Sequence, residues 1–281
     1  MRSRMFVALP ASIVADTPHL REKTAKLGSV ARSCSIFGVD QIIIYGDDPD
    51  HNQKQDFDTC VNILRFLETP QYLRRRLFSI GPDLRFVGIL PPLQIPSHNV
   101  PRKARDCAPG DLREGVVAAR YGDIINLDVG LESLVECHGA LPVGTRVTVK
   151  LTSIKELAGE LVDRTKISIY WGYQVRAQKT SLGTMLEKES YDLRIGTSRY
   201  GHQLKDVWSK VIGLVHDKRS VLIAFGSPKA GLSDILQREG KKPEDVFDVY
   251  LNMVPNQETL TVRTEEAVAF SLSTINVMRS M

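Results

Sequence analysis

The chain has 281 residues, 42% hydrophobic and 25% charged, with 37 Lys and Arg against 33 Asp and Glu for a net charge of +4. Such a length buries a substantial core as one large domain or two smaller ones, the composition is that of an ordinary soluble globular protein, and the slight basic excess is compatible with a polyanionic partner without demanding one. No apolar run approaches the roughly 20 residues of a membrane helix, and MRSRMFVALP turns polar too soon for a secretory leader. Cys34, Cys60, Cys107 and Cys137 form no C-x-x-C pair, which argues against a metal cage or a disulfide framework and for a reducing, cytoplasmic setting.

Residues 1–92 alternate in the α/β manner. MFVALP reads as a strand; Leu20, Thr24, Leu27, Ala31 and Cys34 then recur at helical spacing up to a stop at Gly38. QIIIY is a continuous apolar run, the pattern of a strand buried on both faces, and Phe57, Cys60, Val61, Leu64 and Leu67 mark a second amphipathic helix that ends before Pro70. Strand, helix, strand, helix implies a parallel sheet with crossover helices.

Composition changes at PPLQIPSHNVPRKARDCAPGD, whose five prolines make it a connection. The short alternating segments EGVVAARYGD, IINLDVGLES and LPVGTRVTVKLTSI follow, the spacing of a small all-β barrel or sandwich, and the turn from Pro142 to Gly144 followed by TRVTVKL resembles the last strands of an OB-type barrel, a fold often used on nucleic acids. The 93–165 insert carries nine basic and ten acidic residues, so contact with nucleic acid would rest on local patches such as Arg102, Lys103 and Arg105. The α/β pattern then resumes over 166–281: a strand at ISIYWGYQV, a helix near SLGTMLEKES, LRIGTS, an irregular piece with Leu204, Val207, Trp208 and Val211, and strands VLIAF and VFDVYLNMVP. TEEAVAFSLSTIN closes as a helix, with Thr264 as cap, Glu265 and Glu266 in its first turn, and Val268, Leu272 and Ile275 on its apolar face.

The informative stretch is VLIAFGSPKAGLSD, a strand running into a glycine-bounded loop. Gly226 and Gly231 have the spacing that opens a phosphate-binding P-loop, but Leu232 stands where that loop needs lysine, and only Ser233 matches. A loop at the carboxyl end of a parallel strand is where α/β sheets bind ligands. Glycine lets backbone approach a ligand closely, and Pro228 stiffens the turn.

FGSPKAGL and NMVPNQETLTVRTEEAVAFSLSTIN together resemble the C-terminal motifs of the SPOUT superfamily of RNA methyltransferases. ARSCSIFGVDQIIIY, ETPQYLRRRLF and VGILPPLQIPSH narrow the resemblance to its archaeal and eukaryotic branch with a β-barrel inserted in the methyltransferase domain. The resemblance covers nearly the whole chain. It implies a SPOUT parallel sheet in two parts, 1–92 and 166–281, with a C-terminal trefoil knot and S-adenosyl-L-methionine held by the two loops. The implied cofactor residues are Phe225, Gly226, Ser227, Pro228, Gly231, Leu251, Val254, Pro255, Gln257, Leu260 and Thr264, with Val262 also facing the adenine slot. Lys229 and Ala230 depart from the glutamate and second glycine of many members, which shifts cofactor contacts toward backbone.

Methyl transfer from a sulfonium is an in-line displacement, so alignment dominates and no metal is needed. Within the TPQYLRR segment, Arg74 and Arg75 are the candidates for gripping phosphate or an anionic pyrimidine, with Arg76 beside them on RNA and Tyr72 stacking on a base; Glu265 is a candidate base or simply a helix-terminus carboxylate. His98 and His202 are weaker candidates for RNA contact, and Trp171 and Tyr173 read as one face of a strand in the core or an interface. The expected activity is S-adenosylmethionine-dependent methylation of ribosomal RNA at a base nitrogen, uridine N3 before others, by a homodimer that uses no membrane and no metal. The alternatives are a non-catalytic dimeric RNA-binding module built on the barrel, and a degenerate P-loop protein.

Overall fold

A computed structural model describes residues 3–79, 81–98, 100–216 and 218–281. In chain order the elements are β1 (Arg4–Pro10), α1 (Leu20–Ile36), β2 (Gln41–Gly46), α2 (Lys54–Glu68), α3 (Gln71–Leu77), β3 (Leu112–Tyr121), β4 (Ile124–Asp128), β5 (Val135–His138), β6 (Arg146–Ser153) and β7 (Ala158–Val162). There follow β8 (Gln174–Ser181), α4 (Leu182–Lys188), β9 (Leu193–Gln203), α5 (Leu204–His216), β10 (Ser220–Ala224), α6 (Leu232–Gln237), α7 (Pro243–Val246), β11 (Val249–Asn252) and α8 (Thr264–Ser280). Two compact units result: Met1–Arg65 with Asp83–Pro91 and Tyr173–Met281, and Phe66–Pro82 with Pro92–Gly172. The second unit thus takes in α3 and the end of α2 beside the 93–165 stretch read as the insert.

The first unit is built on a six-stranded sheet of order β11-β9-β10-β1-β2-β8 in which every neighbouring pair is parallel. The apolar runs take the central strands: Val7 pairs with Ile42 on one side and Ile223 on the other, and all three are fully buried. On one face, Ala8, Ile43, Leu222 and Ala224 pack with Leu182 and Met185 of α4 and Leu232, Ile235 and Leu236 of α6. α1, α5 and α8 form a second group, with α8 against both others. Of the positions read from the sequence of α1, Thr24, Leu27, Ala31 and Cys34 are buried and Leu20 is partly so; Lys26, Gly28, Val30 and Ser35 are buried beside them, and Gly38, at φ +66°, ends the helix.

Four local expectations are corrected. ISIYWGYQV is not one strand: β8 begins at Gln174, and Gly172, at φ +113°, breaks the run where a Cβ would fall 2.7 Å from a Glu68 carboxylate oxygen. Leu204–His216 is a regular helix, because Leu204, Val211 and Val215 recur on its buried side. VFDVYLNMVP supplies only the four-residue β11, preceded by a turn of helix at Pro243–Val246. Thr264 does not cap the last helix: Arg263 is the N-cap residue, and the Arg263 amide donates to Glu266 Oε2 at 2.9 Å.

In the second unit β3 to β7 close a barrel of order β3-β4-β5-β7-β6, with β6 returning onto β3. All pairs are antiparallel except β5 with β7. Val117, Ile125, Leu127, Val135, Val149 and Leu151 fill it. β5 and β7, too short and too polar to stand out in the sequence, complete the closure.

A buried charge network ties this unit together. Glu68 is 4% and Glu114 1% exposed. Arg146 donates to Glu68 Oε2 through Nη1 at 2.7 Å and to Glu114 Oε2 through Nε at 2.6 Å. Arg164 adds a 2.6 Å bond to Glu68 Oε1, and the Thr148 hydroxyl and Trp171 indole N–H both reach Glu114 Oε1 at 2.6 Å. Burial alone would push the Glu114 carboxyl up; the charges of Arg146 and Arg164 and the donor from Thr148 reverse it and hold the group below its ordinary value.

A carboxyl depressed in the folded state contributes stability above its unfolded pKa, near 4.3, that is lost as pH falls through the folded value. The barrel unit of the wild type therefore loses stability on acidification below about pH 4. Glu114→Gln, which leaves Arg146 half paired, lowers stability at neutral pH by about 3 kcal/mol and flattens the acid limb. Urea unfolding followed by Trp fluorescence between pH 3 and 7 checks both, and an unchanged acid limb in the variant would refute the role of Glu114.

Candidate active site

The loop after β10 is fixed at its entry by two neighbouring strands. The Phe225 amide donates to Ala8 O at 3.0 Å, and the buried Tyr45 hydroxyl donates to Phe225 O at 2.6 Å. Beyond Gly226 the chain doubles back: Ser227 N donates to Ala230 O at 2.8 Å, and Ala230 N to Ser227 Oγ at 3.0 Å, with Pro228 and Lys229 at the tip. A Cβ on Gly226 would stand 2.9 Å from Ala230 O, 3.0 Å from Leu232 N and 3.1 Å from Gly231 Cα, so the loop closes in this form only around glycine. Gly231 carries no such demand, since a Cβ there would meet only Asp234 Oδ2 at 3.6 Å.

Leu232, at the position a P-loop reserves for lysine, is fully buried against the sheet with Ala8 and Leu222. It anchors the loop from beneath, and the phosphate-cradle reading loses its central residue.

The carboxyl ends of β9 and β11 supply the opposite wall. Thr197 Oγ1 donates to Ala224 O at 2.9 Å, holding the end of β9 to β10. Asn252 Nδ2 donates to Arg199 O at 3.1 Å and its Oδ1 accepts from Val254 N at 3.0 Å, stitching the segment after β11 to β9. The Arg199 guanidinium lies 4.6 Å from the centre of the Tyr200 ring and donates to Leu260 O at 3.0 Å. Thr264 Oγ1 reaches Gly226 O at 3.4 Å, bringing the start of α8 to the same loop.

Between these walls lies a cavity of about 730 Å³, within the range of roughly 300–1,000 Å³ typical of small-molecule sites. Of the cofactor residues expected from the sequence, Phe225, Gly226, Ser227, Pro228, Gly231, Val254, Gln257 and Thr264 line it, as does Val262. Leu251 is buried in the core, Leu260 is 90% exposed, and Pro255 is not part of the wall. Thr197, Ser198, Arg199, Tyr200, Asn252 and Asp16 also line it and were missed. For Thr197 to Tyr200 the polar run TSRY behind the apolar LRIG was the available signal, once β9 is placed beside β10.

Asp16 follows β1, and its Oδ1 accepts from Lys26 Nζ at 2.7 Å. Lys26, whose side chain is 6% exposed, also stands 3.5 Å from Glu265 Oε2. Asp16, Lys26, Arg263 and Glu265 line a second hollow of about 500 Å³, and Asp16 and Arg263 line both. Glu265, expected as a candidate base, thus faces Lys26 and is not in the wall of the larger cavity.

The family model described as "Putative RNA methyltransferase" matches residues 4–275. The chain belongs to this family. A 28S rRNA (uridine-N(3))-methyltransferase of Homo sapiens is 34% identical over 96% of this chain and 77% of its own length. An uncharacterized protein of Haloarcula marismortui is 32% identical over 96% of this chain and 98% of its own. Among solved structures, the SpoU methyltransferase AviRb of Streptomyces viridochromogenes in complex with AdoMet covers 100% of this chain and 59% of that one at a TM-score of 0.41 and 10% identity.

Of the residues expected to meet RNA, all but His202 lie in the second unit. Arg74 donates to Thr69 O at 2.9 Å and Leu67 O at 3.2 Å and sits 4.5 Å from the Phe66 ring centre, so it holds the turn between α2 and α3. Arg75 is exposed, and Arg76 pairs with Asp128. Tyr72 is corrected as a stacking platform: its hydroxyl donates to Glu114 O at 3.0 Å, and its ring packs where a Cβ on Gly130 would fall 2.4 Å away. Arg102, Lys103 and Arg105 are exposed and line a shallow hollow with Glu132.

His98 Nε2 lies 2.8 Å from Glu68 O, and burial lowers its pKa despite that contact, a structural position. His202 is exposed on β9 outside the cavity. Trp171 and Tyr173 are buried, each bonded within its own unit, Trp171 to Glu114 and Tyr173 to Leu64 O.

The contrast between the loop's two glycines is testable. Gly226→Ala costs about 2 kcal/mol of stability through the clash with Ala230 and Leu232, whereas Gly231→Ala costs less than about 1 kcal/mol. Urea denaturation of the two variants decides, and equal costs would show that the loop is not closed around Gly226.

Proposed function

We propose that the chain transfers a methyl group from S-adenosyl-L-methionine to a uridine N3 of ribosomal RNA. The observation that carries the reading is the single cavity in which the FGSPKAG loop and the 252–264 segment meet at the carboxyl ends of β9, β10 and β11. Its walls suit the cofactor: the loop presents close backbone around Gly226, while Phe225, Val254, Val262 and Ala267 offer apolar surface to an adenosine, and Thr197, Ser198 and Asn252 are polar. When bound, the cofactor supplies an electrophilic methyl on a sulfonium. The protein's part is to align the acceptor nitrogen with that methyl and to exclude water. The choice of N3 is supported by the activity for which the human relative is named.

The finer architecture belongs to the same reading. The barrel order, with one parallel pair between its third and fifth strands, supports an OB-like insert for RNA, in which Arg75, Arg102, Lys103 and Arg105 are the exposed cations. The return of the chain after β11 to place Thr264 at Gly226 and α8 against α1 supports a C-terminal trefoil knot. Phe270, Val277 and Met281 are exposed at helical spacing along α8 and its end, with Ile36 on α1, an apolar stripe suited to a homodimer. A cytoplasmic location is supported by four free cysteines, and among the described residues no helix is long and apolar enough to cross a membrane.

Calorimetry with S-adenosylmethionine gives saturable binding, and ribosomal RNA from cells lacking the protein gains one N3-methyluridine on incubation with protein and cofactor, read by nucleoside mass spectrometry. Absence of cofactor binding at millimolar concentration would sink the reading. RNA binding without methyl incorporation would favour the non-catalytic RNA-binding module. By sedimentation the wild type is a dimer, and Phe270→Glu shifts it toward monomer; a monomeric wild type refutes the dimer.

A further inference from the structure

Asp16 has no counterpart among the expected site residues, yet it stands at the meeting of the two hollows. Lys26 and Thr17 both reach its Oδ1, at 2.7 and 3.1 Å, which leaves Oδ2 as the oxygen available to a ligand, on a side chain that is 38% exposed. Lys26 is itself buried between Asp16 and Glu265, so the carboxylate is braced from behind and open in front. Beside it, Arg263 lines both hollows and presents a flat cation that suits the face of a base or a phosphate.

An ionised carboxylate accepts hydrogen bonds and donates none. Among pyrimidines, uracil carries a ring N–H at position 3 between two carbonyls, while cytosine presents a bare nitrogen lone pair there. A fixed carboxylate therefore attracts the one edge and repels the other. Partial burial pushes the Asp16 carboxyl up, but the hydrogen bond and charge of Lys26, with the Thr17 hydroxyl, prevail and keep it below the usual carboxylate range. The group is thus an ionised acceptor aimed at the ring N–H, and the proton that must leave N3 when that nitrogen takes the methyl group passes to the same carboxylate.

We propose that Asp16, braced by Lys26, selects the target base by accepting the ring N–H of a uracil seated where the two hollows meet, and excludes cytosine by lone-pair repulsion. The proposal rests on the reading of the chain as an RNA base methyltransferase. It assigns Asp16 as a specificity-determining residue and Lys26 as the residue that positions it.

Fluorescence anisotropy with labelled hexanucleotides tests it. The wild type binds hexauridylate about tenfold more tightly than hexacytidylate, the discrimination expected of one charge-assisted hydrogen bond. Asp16→Asn, whose amide can turn either an acceptor or a donor to the base, brings the two within about twofold. A hexamer of N3-methyluridine, which lacks the N–H, binds the wild type no better than hexacytidylate, a comparison that needs no variant to fold. Equal wild-type affinity for uridine and N3-methyluridine, or an unchanged ratio in Asp16→Asn, overturns the proposal. Cofactor binding by the wild type is measured alongside: its loss refutes the methyltransferase reading, whereas its presence with no base preference refutes only the role of Asp16.

Discussion

The absence of a side chain at Gly226 is the constraint from which the site is built. With Ala230 O, Leu232 N and Gly231 Cα all about to touch any Cβ placed there, the chain can leave β10, turn over Pro228 and Lys229 and drop Leu232 into the core within a few residues. The entry to that turn is held by two strands: Phe225 N by β1 through Ala8, and Phe225 O by β2 through Tyr45. The parallel sheet does the rest. Because all six strands run the same way, the loops after β9, β10 and β11 emerge on one edge, and their polar residues converge without being neighbours in sequence.

The second unit is held by a different device. Its barrel core is small, and two carboxylates with two guanidiniums lie under or beside it, Glu68 and Glu114 almost wholly buried. Such groups are costly to take from water, and the cost is met only when nearly every lone pair has a donor. Here Arg146, Arg164, Thr148 and Trp171 provide them. The network joins residues 68, 114, 146, 148, 164 and 171, so it fixes which parts of the chain meet, a specificity that apolar packing among interchangeable Val, Ile and Leu side chains would not impose.

What could be read from the sequence follows from the range of the interactions. The parallel sheet was legible because QIIIY and VLIAF are buried on both faces, and α1 because its apolar spacing is local. The glycine loop was legible through Gly226, whose requirement is also local. Tyr72 was misread because the reason for its burial, Gly130 and Glu114, lies far along the chain. Arg74 looked like a free cation in RRR for the same reason: the carbonyls it satisfies are made available only by the end of α2. Leu251 and Leu260 were assigned to an apolar slot by residue type, and three-dimensional placement sends one into the core and the other to solvent. Asp16 and Lys26 carried no pattern at all; a charge pair ten residues apart, one just past a turn of 3-10 helix and the other within α1, becomes visible only when folded.

Affinity and selectivity for RNA are accordingly separable on the proposed reading. The barrel stretch from 93 to 165 has nine basic and ten acidic residues, so no broad field draws a polyanion to it. Phosphate contacts there must come from exposed cations such as Arg75, Arg102, Lys103 and Arg105, and contacts of that kind set register without reading bases. Base identity has to be read where a polar edge meets a fixed acceptor or donor. In the cavity the cations Arg199, Lys229 and Arg263 line the wall together with Asp16, the carboxylate braced by Lys26, an arrangement that tolerates a negatively charged backbone while making one demand on the base it admits. Salt should therefore weaken overall binding far more than it weakens the preference between bases, because the first depends on exposed charges and the second on a hydrogen bond to a carboxylate that Lys26 holds in place.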